Sequence, residues 1–152
     1  MSKKFLMSAF LSYCILGFAH AQVPDSADIV KNAKWSEMET VTIELLEHDF
    51  KPKNLVLKAN KPYKLVIKNT GKEDHYYTAA EFFKDAVAWR KAQTPRPHGG
   101  EIKAPYLTAI EAYKDGGVVE VFIVPVKKGT YDVVCTIGSH KDQGMFGTIV
   151  VE

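Results

Sequence analysis

The stretch Cys135-Thr136-Ile137-Gly138-Ser139-His140-Lys141-Asp142-Gln143-Gly144-Met145 sets a cysteine, a histidine and a methionine five residues apart. It lies between the end of one strand pattern and the start of the last. Just before it, Tyr131, Val133 and Cys135 share one strand face by the two-residue period. Just after it, Phe146-Gly147-Thr148-Ile149-Val150-Val151 is rich in β-branched residues and reads as a closing strand. A loop joining two neighbouring strands can fold its three side chains toward one point. Thiolate, imidazole and thioether together make a soft donor set, which favours copper over magnesium or calcium. Such a set takes a second imidazole, giving two His and one Cys in a plane with Met as a distant axial donor. His75 fits that place, because it follows the turn Asn69-Thr70-Gly71-Lys72-Glu73-Asp74 at the start of a strand. The expected metal ligands are therefore His75, Cys135, His140 and Met145, around one copper ion.

Outward from this stretch the chain reads as short strands divided by turns. Val41, Ile43 and Leu45 alternate with Thr42 and Glu44, Leu55 and Leu57 repeat the period, and Tyr63, Leu65 and Ile67 alternate with Lys64, Val66 and Lys68. Val118 to Val124 reads as a more buried strand, and Lys127-Lys128-Gly129-Thr130 as a hairpin turn leading to Tyr131. One segment breaks the rhythm: Phe82, Phe83, Val87 and Trp89 among Ala, Lys and Glu predict a helix over 78–92. A Pro/Gly loop follows it, and the stretch from Tyr106 to Tyr113 is strand-like or irregular. Ala27 to Lys34 suits a short helix, with Trp35 covering one end of the domain. The expectation is an all-β Greek-key sandwich or barrel with a helical insertion after the first ligand strand.

The order His75…Cys135-x4-His140-x4-Met145 at the end of a β-rich chain resembles the type 1, or blue, copper proteins, the cupredoxins. Its spacings are similar to those of rusticyanin- and auracyanin-like members and of periplasmic copper-tolerance cupredoxins. They differ slightly from those of plastocyanin and azurin, while the insertion after His75 is similar to the azurin flap. The resemblance covers roughly 41–152, apart from much of 81–117. It implies two imidazoles and a thiolate as strong ligands, Met145 as a weak axial one, and His140 as the electron port. Many members carry Asn directly after the first His, hydrogen-bonded to the Cys loop; this chain has Tyr76 there.

The N-terminus has a separate logic. Lys3 and Lys4 precede an apolar run from Phe5 to Phe18, and Ala19-His20-Ala21 follows. That is the layout of a cleavable secretory signal over 1–21, and the run is shorter than the ~20 residues of a spanning helix. The expected organisation is signal 1–21, an N-terminal extension over 22–40 and a cupredoxin domain over 41–152. The whole chain holds 20 Lys+Arg against 18 Asp+Glu, and loss of Lys3 and Lys4 brings the two to parity. A neutral chain has nothing to attract a polyanion, so nucleic-acid binding is not expected. Loss of Cys14 leaves Cys135 alone, without a disulfide partner in an oxidising compartment.

These features lead to a periplasmic, monomeric, non-enzymatic protein, free of the membrane once cleaved, that carries single electrons to and from a redox partner. The alternative is copper tolerance or homeostasis in the same compartment. A Cys–His hydrolase would need a base and an oxyanion hole beside Cys135, and the sequence shows no nucleophile on a helix. Zinc suits His and Cys but gains little from a methionine. His48 and His98 read as solvated residues outside the site, and Tyr76, Tyr77, Phe82, Phe83 and Trp89 as core.

The leader assignment has a direct check. Protein recovered from the cell envelope should have the intact mass of a chain starting at Gln22. A mass retaining 1–21 would contradict both the export reading and the single-cysteine argument.

Overall fold

A computed structural model of the chain describes residues 23, 26–95, 97 and 99–152. The leader expected over 1–21, and His98, lie outside them. The strands are β1 Glu39–Leu46, β2 Asp49–Lys51, β3 Asn54–Leu57, β4 Tyr63–Asn69, β5 His75–Thr78, β6 Val87–Gln93, β7 Glu101–Ile102, β8 Ala109–Ala112, β9 Val118–Pro125, β10 Gly129–Val134 and β11 Phe146–Val151. They form two sheets, one ordered β2-β1-β4-β9-β6-β7 and the other β3-β11-β10-β5-β8. The alternations in the sequence set the inward faces. Ile43 and Leu45 of β1, and Tyr63, Leu65 and Ile67 of β4, are buried, while Thr42, Lys64 and Lys68 point outward or lie at the margin. Opposite them, Leu55, Leu57, Tyr77, Val133, Ile149 and Val151 supply the second inner face, so one apolar core lies between the sheets. The expected all-β sandwich is the observed one.

Two local expectations need correction. The helix predicted over 78–92 is only a short helical segment, ending in a π-type turn at Phe82–Ala86, and 87–93 is strand β6. Ala79, Phe82, Phe83 and Ala86 are buried at helical spacing, but Val87, Ala88 and Trp89 are then buried consecutively. No single helix face accommodates three neighbours in a row. The β9 edge offers backbone partners that a helix could not satisfy, and β6 pairs with it antiparallel from Val87↔Pro125 to Gln93↔Glu120. The second correction concerns Lys127-Lys128-Gly129-Thr130, which is not a hairpin. Both edges of β9 are taken by β4 and β6, so β10 crosses to the other sheet and pairs with β11 and β5.

The N-terminal segment forms α1, Ser26–Asn32, which packs against β6 and β9. Trp35 follows it, donating from Nε1 to the Val30 carbonyl at 2.9 Å, with the Arg90 guanidinium 4.5 Å above its ring. The short helix expected over 27–34 is present at Ser26–Asn32.

Pairing brings the chemistry to one end. β1 and β4 run parallel, in register from Glu39↔Tyr63 to Leu45↔Asn69, so the turns after both strands emerge together. β10 ends and β11 begins at the same end, because they pair antiparallel with Val134 opposite Phe146. β5 starts there as well. Asn69, fully buried, ties these pieces: its Nδ2 donates to the Glu73 and Ala112 carbonyls at 2.8 Å each, and its Oδ1 accepts from the Gly71 N–H at 2.8 Å. Removing that amide strands buried backbone groups. Asn69→Leu should lower unfolding stability by about 2–4 kcal/mol, at the rate of 1–3 kcal/mol per buried group left unsatisfied. Denaturant unfolding with an unchanged m-value would register it; a loss under ~0.5 kcal/mol would mean that the 70–74 turn is held by other contacts.

Candidate metal centre

His75 opens β5 and is fully buried. Among the described residues, neither of its ring nitrogens has a hydrogen-bond partner. An imidazole sealed from water with both nitrogens unpaired is costly by several kcal/mol unless something binds it. Burial, reinforced by the positive tendency of neighbouring His140, holds its pKa below the ordinary 6.5, although Glu47 and Glu73 pull the other way. A neutral ring with a free lone pair is what a metal ion requires.

Cys135 follows β10 and is 1 % exposed. Its Sγ lies 3.5 Å from His140 Nδ1 and accepts the Tyr76 backbone N–H at 3.4 Å. The two imidazole rings are 5.1 Å apart between centroids. One ligand atom from each of His75, Cys135 and His140 falls within 4.8 Å of the others. Met145, the fourth expected ligand, is fully buried immediately before β11. The loop is closed by backbone bonds at its ends: the Cys135 N–H donates to the Met145 carbonyl and the Met145 N–H to the His140 carbonyl, both at 3.0 Å. Gly138 and Gly144 take φ of 48° and 108°, so the loop's two sharp reversals fall on residues without a Cβ. All four residues singled out from the sequence therefore sit on the loop end of the sandwich, and three are brought to a common point. Thiolate, two imidazoles and a thioether form the donor set of one copper ion, and the unpaired nitrogens of His75 fit such a group.

The place of the missing Asn is filled from elsewhere. Tyr76 contributes its backbone N–H to the sulfur, and the Thr78 and Thr136 hydroxyls, 3.1 Å apart, link β5 to the residue after Cys135.

Three further residues border the site that sequence spacing did not reveal. Glu47 lies 3.7 Å from His75 Nε2, and its carboxylate accepts the Lys72 N–H at 2.6 and 2.9 Å and the Glu73 N–H at 3.0 Å. Those N–H groups, Lys72 first, hold its pKa below the usual carboxylate value. A Cβ on Gly71 would stand 2.9 Å from both Glu47 Oε1 and His75 Nε2, so only glycine leaves them room. Glu73 Oε2 is 2.9 Å from His140 Nε2. His48, expected to be solvated, is instead half-buried, with its ring 4.9 Å from that of His140 and at 69° to it. The parallel β1–β4 pairing brings Glu47 and His48 beside the turn that carries Glu73 and leads into His75. It joins residues more than 20 positions apart, a relation no local motif carries.

The sequence model of the cupredoxin-like domain matches residues 10–151. No curated protein sequence matches the chain. Among solved structures, the chain is similar to auracyanin from the photosynthetic bacterium Roseiflexus castenholzii, at 16 % identity and a TM-score of 0.50, over 74 % of this chain and 96 % of that one. It is also similar to a copper-containing nitrite reductase from Thermus scotoductus, at 12 % identity and a TM-score of 0.55, over 74 % of this chain and 30 % of the other. A multi-copper oxidase from Pediococcus acidilactici shares 13 % identity and a TM-score of 0.53, over 76 % and 26 %. At these identities the likeness is one of fold.

The depressed pKa of His75 has a consequence for stability. Below its ordinary pKa of 6.5 the unfolded chain takes up a proton that the folded His75 resists. Stability therefore falls as pH drops below ~6.5, and is unaffected by this group above it. The metal-free protein should lose Tm between pH 7 and pH 5, and His75→Gln should flatten part of that slope. A wild-type Tm as pH-independent as the variant's would contradict the assignment.

Proposed function

The chain belongs to the cupredoxin-like family, and from that premise we propose that it is an exported, periplasmic carrier of single electrons, built around one copper ion held by His75, Cys135, His140 and Met145. The carrying observation is the convergence of Cys135, His75 and His140 within 4.8 Å, all buried, with both His75 nitrogens unpaired. When bound, copper supplies the one-electron couple between Cu(I) and Cu(II). The residues supply a geometry that changes little with oxidation state. The closing bonds of the 135–145 loop, the N–H to sulfur bond and the Thr78–Thr136 contact all hold the donors in place. A buried and complete donor set favours electron transfer over catalysis, since catalytic metal sites keep an open position for substrate. His140, at 7 % exposed, is the ligand through which electrons would leave toward a redox partner protein, with the chain acting as a monomer. Export is supported by the leader pattern in the sequence over 1–21.

Copper tolerance is the second reading, and the polar surround of His140 favours it: Glu73 and His48 lie directly against this ligand.

The mature protein should take up one equivalent of Cu(II) and show an intense visible band from sulfur-to-copper charge transfer. Cys135→Ser should abolish that band, because a hydroxyl is a much harder donor than thiolate. Met145→Leu should keep both copper and band while raising the reduction potential, since leucine donates no electron density to Cu(II). For one electron ~59 mV corresponds to a tenfold change in equilibrium, so voltammetry resolves modest effects. A full band in Cys135→Ser would overturn the site. Loss of copper in Met145→Leu would make Met145 a primary ligand or a structural support.

A further inference from the structure

Outside the buried donors, a second cluster of metal-binding groups shares one residue with them. A ligand atom each from His48, Glu73 and His140 lies within 4.8 Å of the others. Donors bound to one ion at about 2.1 Å can stand up to ~4 Å apart, so small side-chain rotations would bring all three onto one cation. The cluster is built rather than incidental. The Glu73 backbone is fixed on both sides, its N–H on Glu47 and its carbonyl on Asn69. His48 occupies the turn between β1 and β2 at φ 58°, a left-handed conformation that glycine or asparagine adopts at lower cost. A histidine there sets an imidazole edge-on against His140.

His140 faces both ways. Its Nδ1 lies 3.5 Å from the Cys135 sulfur and its Nε2 lies 2.9 Å from Glu73. A neutral imidazole has one lone pair, on whichever nitrogen lacks the proton. It can therefore serve the inner donors through Nδ1 or the outer cluster through Nε2, but not both at once.

From this geometry we infer that His48, Glu73 and the outer nitrogen of His140 form a capture site for incoming Cu(II), from which the ion passes inward to Cys135 and His75. The inference rests on the inner residues being the final copper site. At capture His140 carries its proton on Nδ1 and binds through Nε2. On passage inward Nε2 regains a proton from water, Nδ1 gives one up to water, and the Cys135 thiol releases its proton as thiolate. No electron moves in this exchange. The outer donors, two nitrogens and a carboxylate oxygen, accept Cu(II) but lack the sulfur that would hold it more strongly within. Glu73 is exposed and His48 half-buried, so the outer cluster meets solvent while the inner donors do not.

Rapid mixing of the metal-free mature protein with one equivalent of Cu(II) tests the route. A first species should form with a nitrogen/oxygen-type paramagnetic spectrum and no intense visible band, and it should decay as the sulfur-to-copper band grows. His48→Ala and Glu73→Gln should each remove the first species and slow growth of the band at least tenfold. At equilibrium, Cys135→Ala should still bind Cu(II) without the visible band, and adding His48→Ala should weaken that binding at least tenfold. Band growth at the same rate in wild type and both outer variants would overturn the capture site and leave the inner site standing. Equal Cu(II) affinity in Cys135→Ala with and without His48 would overturn it too, placing that copper on the inner imidazoles of His75 and His140 or marking it as an adventitious ion only. A wild-type chain that never develops the band would overturn the inner site, and the route inward with it.

Discussion

The backbone hydrogen bond from Cys135 N–H to the Met145 carbonyl, 3.0 Å long, closes the loop on which three of the four donors sit. It continues the antiparallel β10–β11 ladder by one step beyond the Val134↔Phe146 pair. The strand pairing that makes the sandwich thus also sets where sulfur, imidazole and thioether point. Between the two ends, the turns at Gly138 and Gly144 and the bond from Met145 N–H to the His140 carbonyl leave the loop little freedom. Holding donors by the fold rather than by the ion suits a site whose ion changes charge, because reorganisation is then small.

The second constraint is electrostatic. His75 is buried without a hydrogen-bond partner and kept neutral, while two carboxylates, Glu47 and Glu73, stand beside the outer nitrogens of the two imidazoles at 3.7 and 2.9 Å. Glu73, within hydrogen-bond distance of His140, orients that ring and fixes its tautomer, while Glu47 at 3.7 Å contributes only negative charge beside His75. Glu47 is held there by the N–H groups of Lys72 and Glu73, in a turn whose shape depends on Asn69 and on the absence of a side chain at Gly71. The buried amide of Asn69 therefore acts on the chemistry through two intervening contacts.

The sequence made some of this legible and hid the rest for physical reasons. Strands β1, β4, β10 and β11 show their two-residue alternation openly because each has one face in the core, whereas β9, buried throughout from Val121 to Pro125, shows as a continuous apolar run. The donors His75, Cys135, His140 and Met145 stand out because soft ligands at fixed spacing in a loop are rarely a packing pattern. β6 was hidden because Ala, Lys and Arg favour helix locally, and only the open edge of β9 decides otherwise. The crossover at 127–130 was hidden because a short Gly-containing turn looks the same whether its strands pair or part. Glu47 and His48 were hidden because the parallel β1–β4 register, not sequence proximity, brings them to the site, and Glu73, two residues before His75, was hidden because only the fold sets it against His140.

The most direct test of the central claim is X-ray absorption at the copper edge on mature protein loaded with one equivalent of copper. A site built from His75, Cys135 and His140 requires one short sulfur scatterer and two imidazole nitrogens about a single copper, in both the oxidised and the reduced protein. A first shell of nitrogen and oxygen alone, with no short sulfur distance, would contradict it.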